Sequence, residues 1–380
     1  MEFRKSTLEM MKEIKLSKSI IGQDEIDAVV GVLKREYLGM GQEVKQLENS
    51  LTSFFGRDVT CVNTGTAALH LALQAVGLKK GDEVLVQSLT YVSTYQAISA
   101  TGATPIACEV DPHTLTIDLK DAAKKITPMT KVILPVHYGG NVGDLDSLYQ
   151  FSKKNNLRVI EDAAHAFGTI YKNKLIGSFG DICCISLDGI KNITSGEGGI
   201  IITNDKSITQ KVSDSRLLGV EKDTENRFKG ERSWDFDVKA QGWRYHMSNI
   251  MAAIGMVQFN KFNKLKKKRQ LLAKTYFNKL DGFVGLLDCD YDFVVPHIFI
   301  IMIDSQKRDQ VRDQLLLLNI PTGIHYKPNH MLSFYSLNQD NSTLTLTEDI
   351  YNSLLTLPMH PDLSVEQVSY ISDEIKKILL

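Results

Sequence analysis

Short apolar runs alternate with segments of helical periodicity through the first half of the chain. The runs DEVLVQ, TPIACEV, TKVILPV and LRVIED predict strands, and the segments LKDAAKKI and DLDSLYQFSKKN predict helices. This alternation is typical of an α/β fold in which helices cover both faces of a mainly parallel sheet. Ligands of such sheets bind beyond the carboxyl ends of the strands, so the residues that directly follow the runs are candidates for a site.

The pattern changes in the second half of the chain. Residues 219–246 are polar, highly charged and without periodicity, and we interpret them as a long excursion from the first unit. A helix is predicted to begin near Ser248 and to bridge two units, and a strand in HIFIIMI and a closing helix with a capping box of Ser364 and Gln367 follow it. We interpret the basic run KLKKKR of the bridging helix as a solvated face, with an anion site as the alternative.

These patterns predict two domains. The large domain comprises residues 1–250, and residues 251–380 comprise the bridging helix and a smaller C-terminal α/β domain. The length of 380 residues and a hydrophobic content of 43% provide enough material for two buried cores.

Charge and cysteine content point to a small partner molecule in the cytoplasm. The formal net charge of -1 provides no global field that would attract nucleic acid or an anionic membrane. The most apolar run, FVVPHIFIIMI, is shorter than the roughly 20 residues of a membrane span, and the charged start lacks the apolar segment of a signal peptide. The five cysteines are predicted to be reduced, and the nine histidines show no spacing typical of a zinc site.

The first candidate strand end lies in VTCVNTGTAALHLALQAVGL. A strand leads into Thr64, Gly65 and Thr66, and a helix then begins with Ala67. Small residues at the start of a helix leave backbone N–H groups accessible to a phosphate. An ordinary turn with a helix cap is the alternative interpretation.

The second candidate lies in LRVIEDAAHAFG, where Asp162 and His165 follow an apolar strand. A carboxylate at the end of a buried strand needs a cationic partner or solvent, and a protonated pyridine nitrogen would be such a partner. The alternatives are a helix cap for Asp162 and an ordinary core histidine for His165.

The third candidate is Lys191, in the connection between the apolar runs ICCISL and GIIITND. Burial lowers the pKa of a lysine amine and makes the neutral amine available as a nucleophile for Schiff-base chemistry. We expect Gly196, Gly198 and Gly199 to let the backbone pass close to a bulky cofactor. A lysine in a surface loop is the alternative.

Several motifs together resemble the DegT/DnrJ/StrS family of nucleotide-sugar aminotransferases. They include NTGTAALHLAL, SLTYVSTYQAISATGATP, TKVILPVHYGG, EDAAHAFG, SLDGIKNITSGEGG, YHMSNIMAAIGMVQ, GIHYKPNH and LTLPMHPDLS, and they extend along nearly the whole chain. The resemblance implies the fold type I of pyridoxal phosphate enzymes, as in aspartate aminotransferase.

The resemblance also implies roles for individual residues. Lys191 would bond covalently to the cofactor aldehyde and move protons, and Asp162 would keep the pyridine nitrogen protonated. Ser186 would bind the phosphate together with the helix start, Tyr91 would stack on the ring, and His165 would lie near the 3′-oxygen. The predicted cofactor contacts are Gly65, Thr66, Ala67, Tyr91, Asp162, His165, Ser186 and Arg244.

Members of this family form dimers whose active sites lie at the subunit interface. Relatives commonly have GYNYRMS where this chain has GWRYHMS, so Arg244 replaces Asn and His246 replaces Arg. We expect Arg244 to contact the cofactor phosphate of the partner subunit, because guanidinium suits phosphate. The role of His246 stays open.

The motif TSGEGG resembles the branch that aminates carbon 4 of a nucleoside-diphosphate 4-keto-6-deoxyhexose. Glutamate is the expected amino donor, and synthesis of O-antigen or another surface polysaccharide is the expected setting. A carbon-3 aminotransferase and a catalytically silent binding or regulatory protein are the alternatives. Lys191 argues against the family's dehydratases, in which a histidine replaces the lysine.

Overall fold

The computed structural model describes residues 13–231, 235–336 and 343–380. The strands are β1 (Asp58–Val62), β2 (Glu83–Gln87), β3 (Thr104–Cys108), β4 (Thr130–Leu134), β5 (Arg158–Asp162), β6 (Ile170–Tyr171), β7 (Lys174–Leu175), β8 (Ile182–Ser186), β9 (Gly199–Thr203), β10 (Phe299–Met302) and β11 (Leu354–Leu357). The helices are α1 (Gln23–Lys34), α2 (Gln42–Phe55), α3 (Gly65–Ala75), α4 (Val92–Ala100), α5 (Leu119–Lys124), α6 (Leu145–Lys154), α7 (Lys206–Ser215), α8 (Asp223–Phe228), α9 (Asn249–Leu280), α10 (Ser305–Leu317), α11 (Ser333–Ser336), α12 (Thr345–Ser353) and α13 (Val365–Leu379).

A seven-stranded sheet is the centre of the molecule. Its strand order is β1-β9-β8-β5-β4-β2-β3, and β9 runs antiparallel to both of its neighbours. The pairs from β8 to β3 are parallel. The predicted α/β class with a mainly parallel mixed sheet is therefore confirmed.

Helices cover both faces of the sheet because neighbouring strand residues point to opposite sides. On one face, Ile133 of β4 belongs to a core formed with α2, α6 and α9. On the other face, Val132 and Leu134 belong to a core formed with α3, α4 and α7. The carboxyl ends of β1, β2, β4, β5 and β8 meet at one edge of this sandwich.

The glycines after Lys191 have local structural roles, and their predicted approach to a cofactor stays a prediction. A Cβ atom on Gly199 would lie 2.3 Å from the carbonyl oxygen of Thr64, and one on Gly198 would lie 2.2 Å from Oγ of Ser195. Gly196 has a φ of +82°, in the left-handed region. Gly199 thus permits the close approach of β9 to the start of α3, Gly198 permits a close approach to Ser195, and Gly196 permits a left-handed backbone.

The long helix α9 joins the central sheet to a second, smaller sheet. It has 32 residues, which corresponds to about 48 Å at about 1.5 Å per residue, and it begins at the predicted position because Ser248 accepts a hydrogen bond from the amide of Met251. Strands β10 and β11 form an antiparallel pair that packs with α9, α10 and α13 around a separate core. The capping box of Ser364 and Gln367 is present. The domain division at residue 250 stays a prediction, and residues 1–12 of the predicted large domain lie outside the described residues.

The basic run of α9 is only partly a solvated face. Lys264 and Lys267 are exposed as predicted. Arg269 is instead 2% exposed, and its guanidinium donates to backbone carbonyls of other segments. Periodicity explains the difference, because Leu265 and Arg269 are one turn apart on the buried side of the helix.

The cysteines are unpaired, and four of the five are buried. In the ranges that the structure describes, no helix is long and apolar enough to cross a membrane. The same ranges contain no group of three or more His, Cys, Asp or Glu side chains that could hold a metal ion.

Candidate active site

A cavity of about 470 Å³ lies beyond the carboxyl ends of the parallel strands. It brings together seven of the predicted site residues, namely Gly65, Thr66, Tyr91, Asp162, His165, Ser186 and Lys191. His297, His325 and Tyr326 line the cavity from the C-terminal part of the chain. Segments far apart in sequence therefore meet at the edge predicted from the strand pattern.

The start of α3 presents free backbone donors to the cavity. Thr64 caps the helix by accepting a hydrogen bond from the amide of Ala67 at 3.0 Å. Among the described residues, no hydrogen bond uses the amides of Gly65 and Thr66. Two N–H groups at a helix start are a site for an anion. Ala67 does not line the cavity and its amide is occupied, so the structure does not bring this predicted contact to the site.

Ser186, the last residue of β8, lies against this helix start. A Cβ atom on Gly65 would lie 2.8 Å from Cβ of Ser186, so only glycine permits this approach. Oγ of Ser186 accepts a hydrogen bond from the amide of Asp188 at 3.2 Å. Its hydroxyl proton is therefore free to be donated to an anion that binds at the amides of Gly65 and Thr66.

Asp162, at the end of β5, is a buried carboxylate that faces the cavity. It accepts hydrogen bonds from Oγ1 of Thr94 at 2.8 Å and from the amide of Ala164 at 3.2 Å. Burial raises the pKa of Asp162, and these two hydrogen bonds and nearby Lys191 oppose that effect. Within the described ranges no ion pair involves Asp162, so a cationic group in the cavity would complete its surroundings.

Lys191 extends from the connection between β8 and β9 into the same cavity. Its Nζ lies 3.3 Å from Nε2 of His297. Burial lowers the pKa of Lys191 to about 8, while the carboxylates of Asp188 and Asp162 favour the charged form. About one tenth of this amine is therefore neutral at pH 7, far more than of an ordinary lysine, and this fraction is available as a nucleophile or base.

His165 is held as a neutral hydrogen-bond donor. Its Nδ1 accepts from the amide of Gly139 at 3.3 Å, so the proton of the neutral ring resides on Nε2, which lies 3.3 Å from Oη of Tyr326. Burial and the charge of Lys191 hold the pKa of His165 well below its usual range. The ring of His297 lies 4.5 Å from that of His165.

The second half of the chain forms the opposite wall of the cavity. Nδ2 of Asn329 donates to the carbonyls of Ser88 at 3.1 Å and Thr90 at 2.8 Å. This contact ties the segment of Tyr326 to the turn that carries Tyr91, and the two tyrosine rings are 5.4 Å apart. Tyr91 is 56% exposed, which leaves one face of its ring open.

Sequence reasoning missed His297 as a site residue. The imidazole is fully buried, and burial, the charge of Lys191 and neighbouring groups hold its pKa well below the usual range. The available signal was a single histidine after proline inside an apolar run, in VVPHIFII. That pattern alone does not reveal which side chain the imidazole contacts.

Arg244 lies outside the cavity of its own chain. Its side chain is exposed, and its backbone forms a bridge with Leu217. His246 is half-buried, and burial together with Arg227, Arg244 and other charged groups lowers its pKa to about 4. The predicted role of Arg244 in the partner's site stays a prediction.

Comparison with known proteins identifies the class. The sequence matches the DegT/DnrJ/EryC1/StrS aminotransferase family over residues 19–376. It is 32% identical over 374 residues to the spore coat polysaccharide biosynthesis protein SpsC of Bacillus subtilis, and the alignment covers 96% of each protein.

Solved structures agree with the sequence match. The pyridoxal phosphate form of the putative sugar aminotransferase Spr1654 of Streptococcus pneumoniae superposes with a TM-score of 0.90 at 28% identity, covering 97% of this chain and 99% of that one. PseC of Helicobacter pylori, an aminotransferase involved in the biosynthesis of pseudoaminic acid, gives a TM-score of 0.89 at 26% identity over 97% and 99%.

The fold and the cavity thus define an aminotransferase that uses pyridoxal 5′-phosphate. The chain belongs to the DegT/DnrJ/EryC1/StrS family of pyridoxal-phosphate-dependent sugar aminotransferases. The residues fit the cofactor. In the described part of the chain, the cavity contains a buried carboxylate that forms no ion pair, two free helix amides and an amine whose pKa burial lowers to about 8.

The buried histidine beside Lys191 predicts a pH dependence of stability. The pKa of His297 is depressed in the folded state, so only the unfolded chain binds a proton on this imidazole as the pH falls below about 6.5. Protonation therefore favours the unfolded chain, and the free energy of unfolding decreases. We expect the free energy of unfolding of the His297→Gln variant to fall by about 1.4 kcal/mol less between pH 7.5 and pH 5.5 than that of the original chain.

Urea unfolding at the two pH values measures this difference. His113→Gln, which removes an exposed histidine, is the matched control and should retain the full pH dependence of the original chain. An unchanged pH dependence in His297→Gln would contradict the buried neutral state of this imidazole.

Proposed function

We propose that the protein transfers the amino group of L-glutamate to carbon 4 of a nucleoside-diphosphate 4-keto-6-deoxyhexose. The observation that carries the proposal of amino transfer is the buried amine of Lys191, with its lowered pKa, in one cavity with the buried carboxylate of Asp162 and the free amides of α3. The choice of carbon 4 rests on the motif TSGEGG after Lys191.

The residues that line the cavity have distinct roles in the proposed reaction. The cofactor supplies an aldehyde for an amine and a ring that accepts the electron pair left when a proton departs from carbon. Asp162 holds a proton on the pyridine nitrogen, and the amides of Gly65 and Thr66 with the hydroxyl of Ser186 bind the phosphate. Lys191 Nζ then takes a proton and returns it, for which a pKa of about 8 is well suited.

The ring of the cofactor is oriented by neutral groups. Tyr91 offers the open face of its ring for stacking, which contributes about 1 kcal/mol beyond area burial. The Nε2–H of His165 is a donor for the 3′-oxygen, and its depressed pKa keeps this nitrogen from adding a second positive charge beside Lys191. His325 and Tyr326 line the cavity from the C-terminal part of the chain.

Several groups at the cavity are suited to a sugar. Asp188 and Glu197 line it and can accept hydrogen bonds from hydroxyl groups. Burial, followed by the charge of Asp188, raises the pKa of Glu197. The names of SpsC and PseC associate those relatives with polysaccharide and pseudoaminic acid biosynthesis, which supports a role in supplying an amino sugar for O-antigen or another surface polysaccharide.

The proposed reaction predicts one product. The protein is incubated with glutamate, pyridoxal phosphate and a panel of 4-keto-6-deoxyhexoses linked to thymidine, uridine or guanosine diphosphate. We expect a product with an amino group on carbon 4, and NMR of the product assigns this position. The Lys191→Ala variant should be slower by about 10²–10⁴-fold or more, because it lacks the group that moves the proton. Lys267→Ala, an exposed lysine of α9, is the control and should be unaffected.

The corresponding 3-keto sugars are tested in parallel, and amination of these alone, on carbon 3, would replace the carbon-4 proposal with the nearest alternative. Absence of any change in the cofactor absorbance on addition of glutamate would contradict amino transfer itself and favour a silent binding protein.

We further propose that the protein is a homodimer with the active sites at the interface. Ile26, Val30 and Leu33 of α1 are 49%, 39% and 48% exposed and form an apolar stripe at helical spacing. The opposite side of the helix buries Val32. An apolar stripe of this kind is typical of an interaction surface.

This stripe lies close to the connection that carries Lys191. A groove beside it is lined by Ile26 and Val30 together with Thr194 and Gly196. A second copy docked on α1 would therefore be adjacent to the cavity. Arg244, exposed in its own chain, then has a place in the partner's site, where guanidinium is suited to phosphate.

Complementation between two inactive variants tests this arrangement. If Arg244 acts in the partner's site, a heterodimer of Lys191→Ala and Arg244→Ala has one site with both residues intact. Mixing the variants after dissociation should recover about one quarter of the original activity, since half of the dimers are mixed and each has one complete site. Activity no greater than the sum of the separate variants would contradict a role across the interface.

A further inference from the structure

A single buried guanidinium contacts both segments that meet at the amine of Lys191. Arg269 of α9 donates through Nη1 to the carbonyls of His297 at 3.1 Å and Pro296 at 3.4 Å. Through Nη2 it donates to the carbonyls of Ile190 at 3.4 Å and Lys191 at 3.5 Å. The fork of the guanidinium thus joins two chain segments that are more than one hundred residues apart in sequence.

Arg269 is a buried arginine that has only backbone carbonyls as partners in the described parts of the chain. A buried guanidinium usually pairs with a carboxylate, because removing an ion from water costs several kcal/mol. No ion pair in the described parts of the chain involves Arg269, and its Nε has no hydrogen-bond partner there. Burial lowers its pKa to about 10, so it remains charged at neutral pH.

The backbone carbonyls therefore replace a carboxylate as the partners of this cation. Two of the four carbonyls belong to Lys191 and His297, the residues whose side chains approach to 3.3 Å between Nζ and Nε2. One side chain consequently fixes the backbone on both sides of that contact.

We propose that Arg269 is a positioning residue for Lys191, because its guanidinium ties the Lys191 segment to the His297 segment and holds the amine against the imidazole. The proposal rests on the role proposed above for Lys191, but its test needs neither substrate nor turnover. A failed test of Arg269 and a failed test of amino transfer are therefore distinguishable.

The charge of Arg269 also acts on Lys191. The carboxylates of Asp188 and Asp162 face the amine and favour its protonation, whereas burial and the charge of Arg269 oppose it. The imidazoles that face it, His165, His297 and His325, have pKa values lowered by burial and stay neutral. Removal of the guanidinium leaves the carboxylates less opposed, so the pKa of Lys191 should rise.

Two substitutions separate the charge of Arg269 from its shape. Arg269→Met removes both, and Arg269→Lys retains an amine that cannot bridge two pairs of carbonyls. Lys267→Met, an exposed position two residues earlier on α9, is the matched control. All variants are prepared as the full-length chain.

The first measurement is the rate at which acetic anhydride modifies Lys191 as a function of pH in the protein freed of cofactor, relative to exposed Lys264. In the original chain the midpoint should lie near pH 8. In Arg269→Met this midpoint is expected to rise, and each pH unit of rise would lower the modification rate at pH 8 about fivefold.

The second measurement is peptide-resolved hydrogen exchange, with and without pyridoxal phosphate. We expect residues 188–195 to exchange at least about tenfold faster in both Arg269 variants, while β2 and β3 exchange as in the original chain. Arg269→Lys keeps the proposal testable if Arg269→Met does not fold.

Equal acceleration across the central sheet would show that Arg269 only supports general stability and would overturn the proposal. Unchanged exchange at residues 188–195 in a folded Arg269 variant, or the same acceleration in Lys267→Met, would also overturn it.

Discussion

The burial of two opposite charges at one edge of the sheet is the constraint on which the site depends. Asp162 and Lys191 both lie where water is largely excluded, and burial disfavours the charged form of each. Leaving an unpaired ion there costs several kcal/mol. A pyridine aldehyde suits both groups: its protonated ring nitrogen would pair with the carboxylate of Asp162, and its aldehyde would react with the neutral fraction of the Lys191 amine.

The rest of the fold positions this pair. Parallel strands deliver Asp162 and Ser186 to one edge, and Gly199 lets the antiparallel strand β9 begin beside Thr64. The segment of Tyr326 is tied to the turn of Tyr91 by Asn329. Helix α9 then joins the two sheets and places Arg269 beneath the connection that carries Lys191. The contacts that hold these segments together therefore also set the positions of the side chains in the cavity.

The sequence predicted the elements with strong local signals. Strands β2 to β5, the start of α9 at Ser248 and the capping box of Ser364 follow from periodicity and capping, which are properties of neighbouring residues. Contacts between distant segments were not predictable in this way. In the sequence, His297 looks like an ordinary strand residue, and Arg269 looks like one more exposed basic residue of the run KLKKKR. Both are buried by distant segments, and neighbouring residues in the sequence do not reveal such burial. That the amide of Ala67 serves the cap of Thr64 was also not deduced from the sequence.

Reduction of the cofactor-loaded protein with borohydride is the most direct measurement of the proposed covalent role of Lys191. After incubation with pyridoxal phosphate, reduction, digestion and mass spectrometry, the peptide that contains Lys191 should carry the mass of the reduced cofactor. Absence of any adduct, or an adduct confined to another lysine, would contradict the assignment of Lys191 as the residue that binds the cofactor aldehyde.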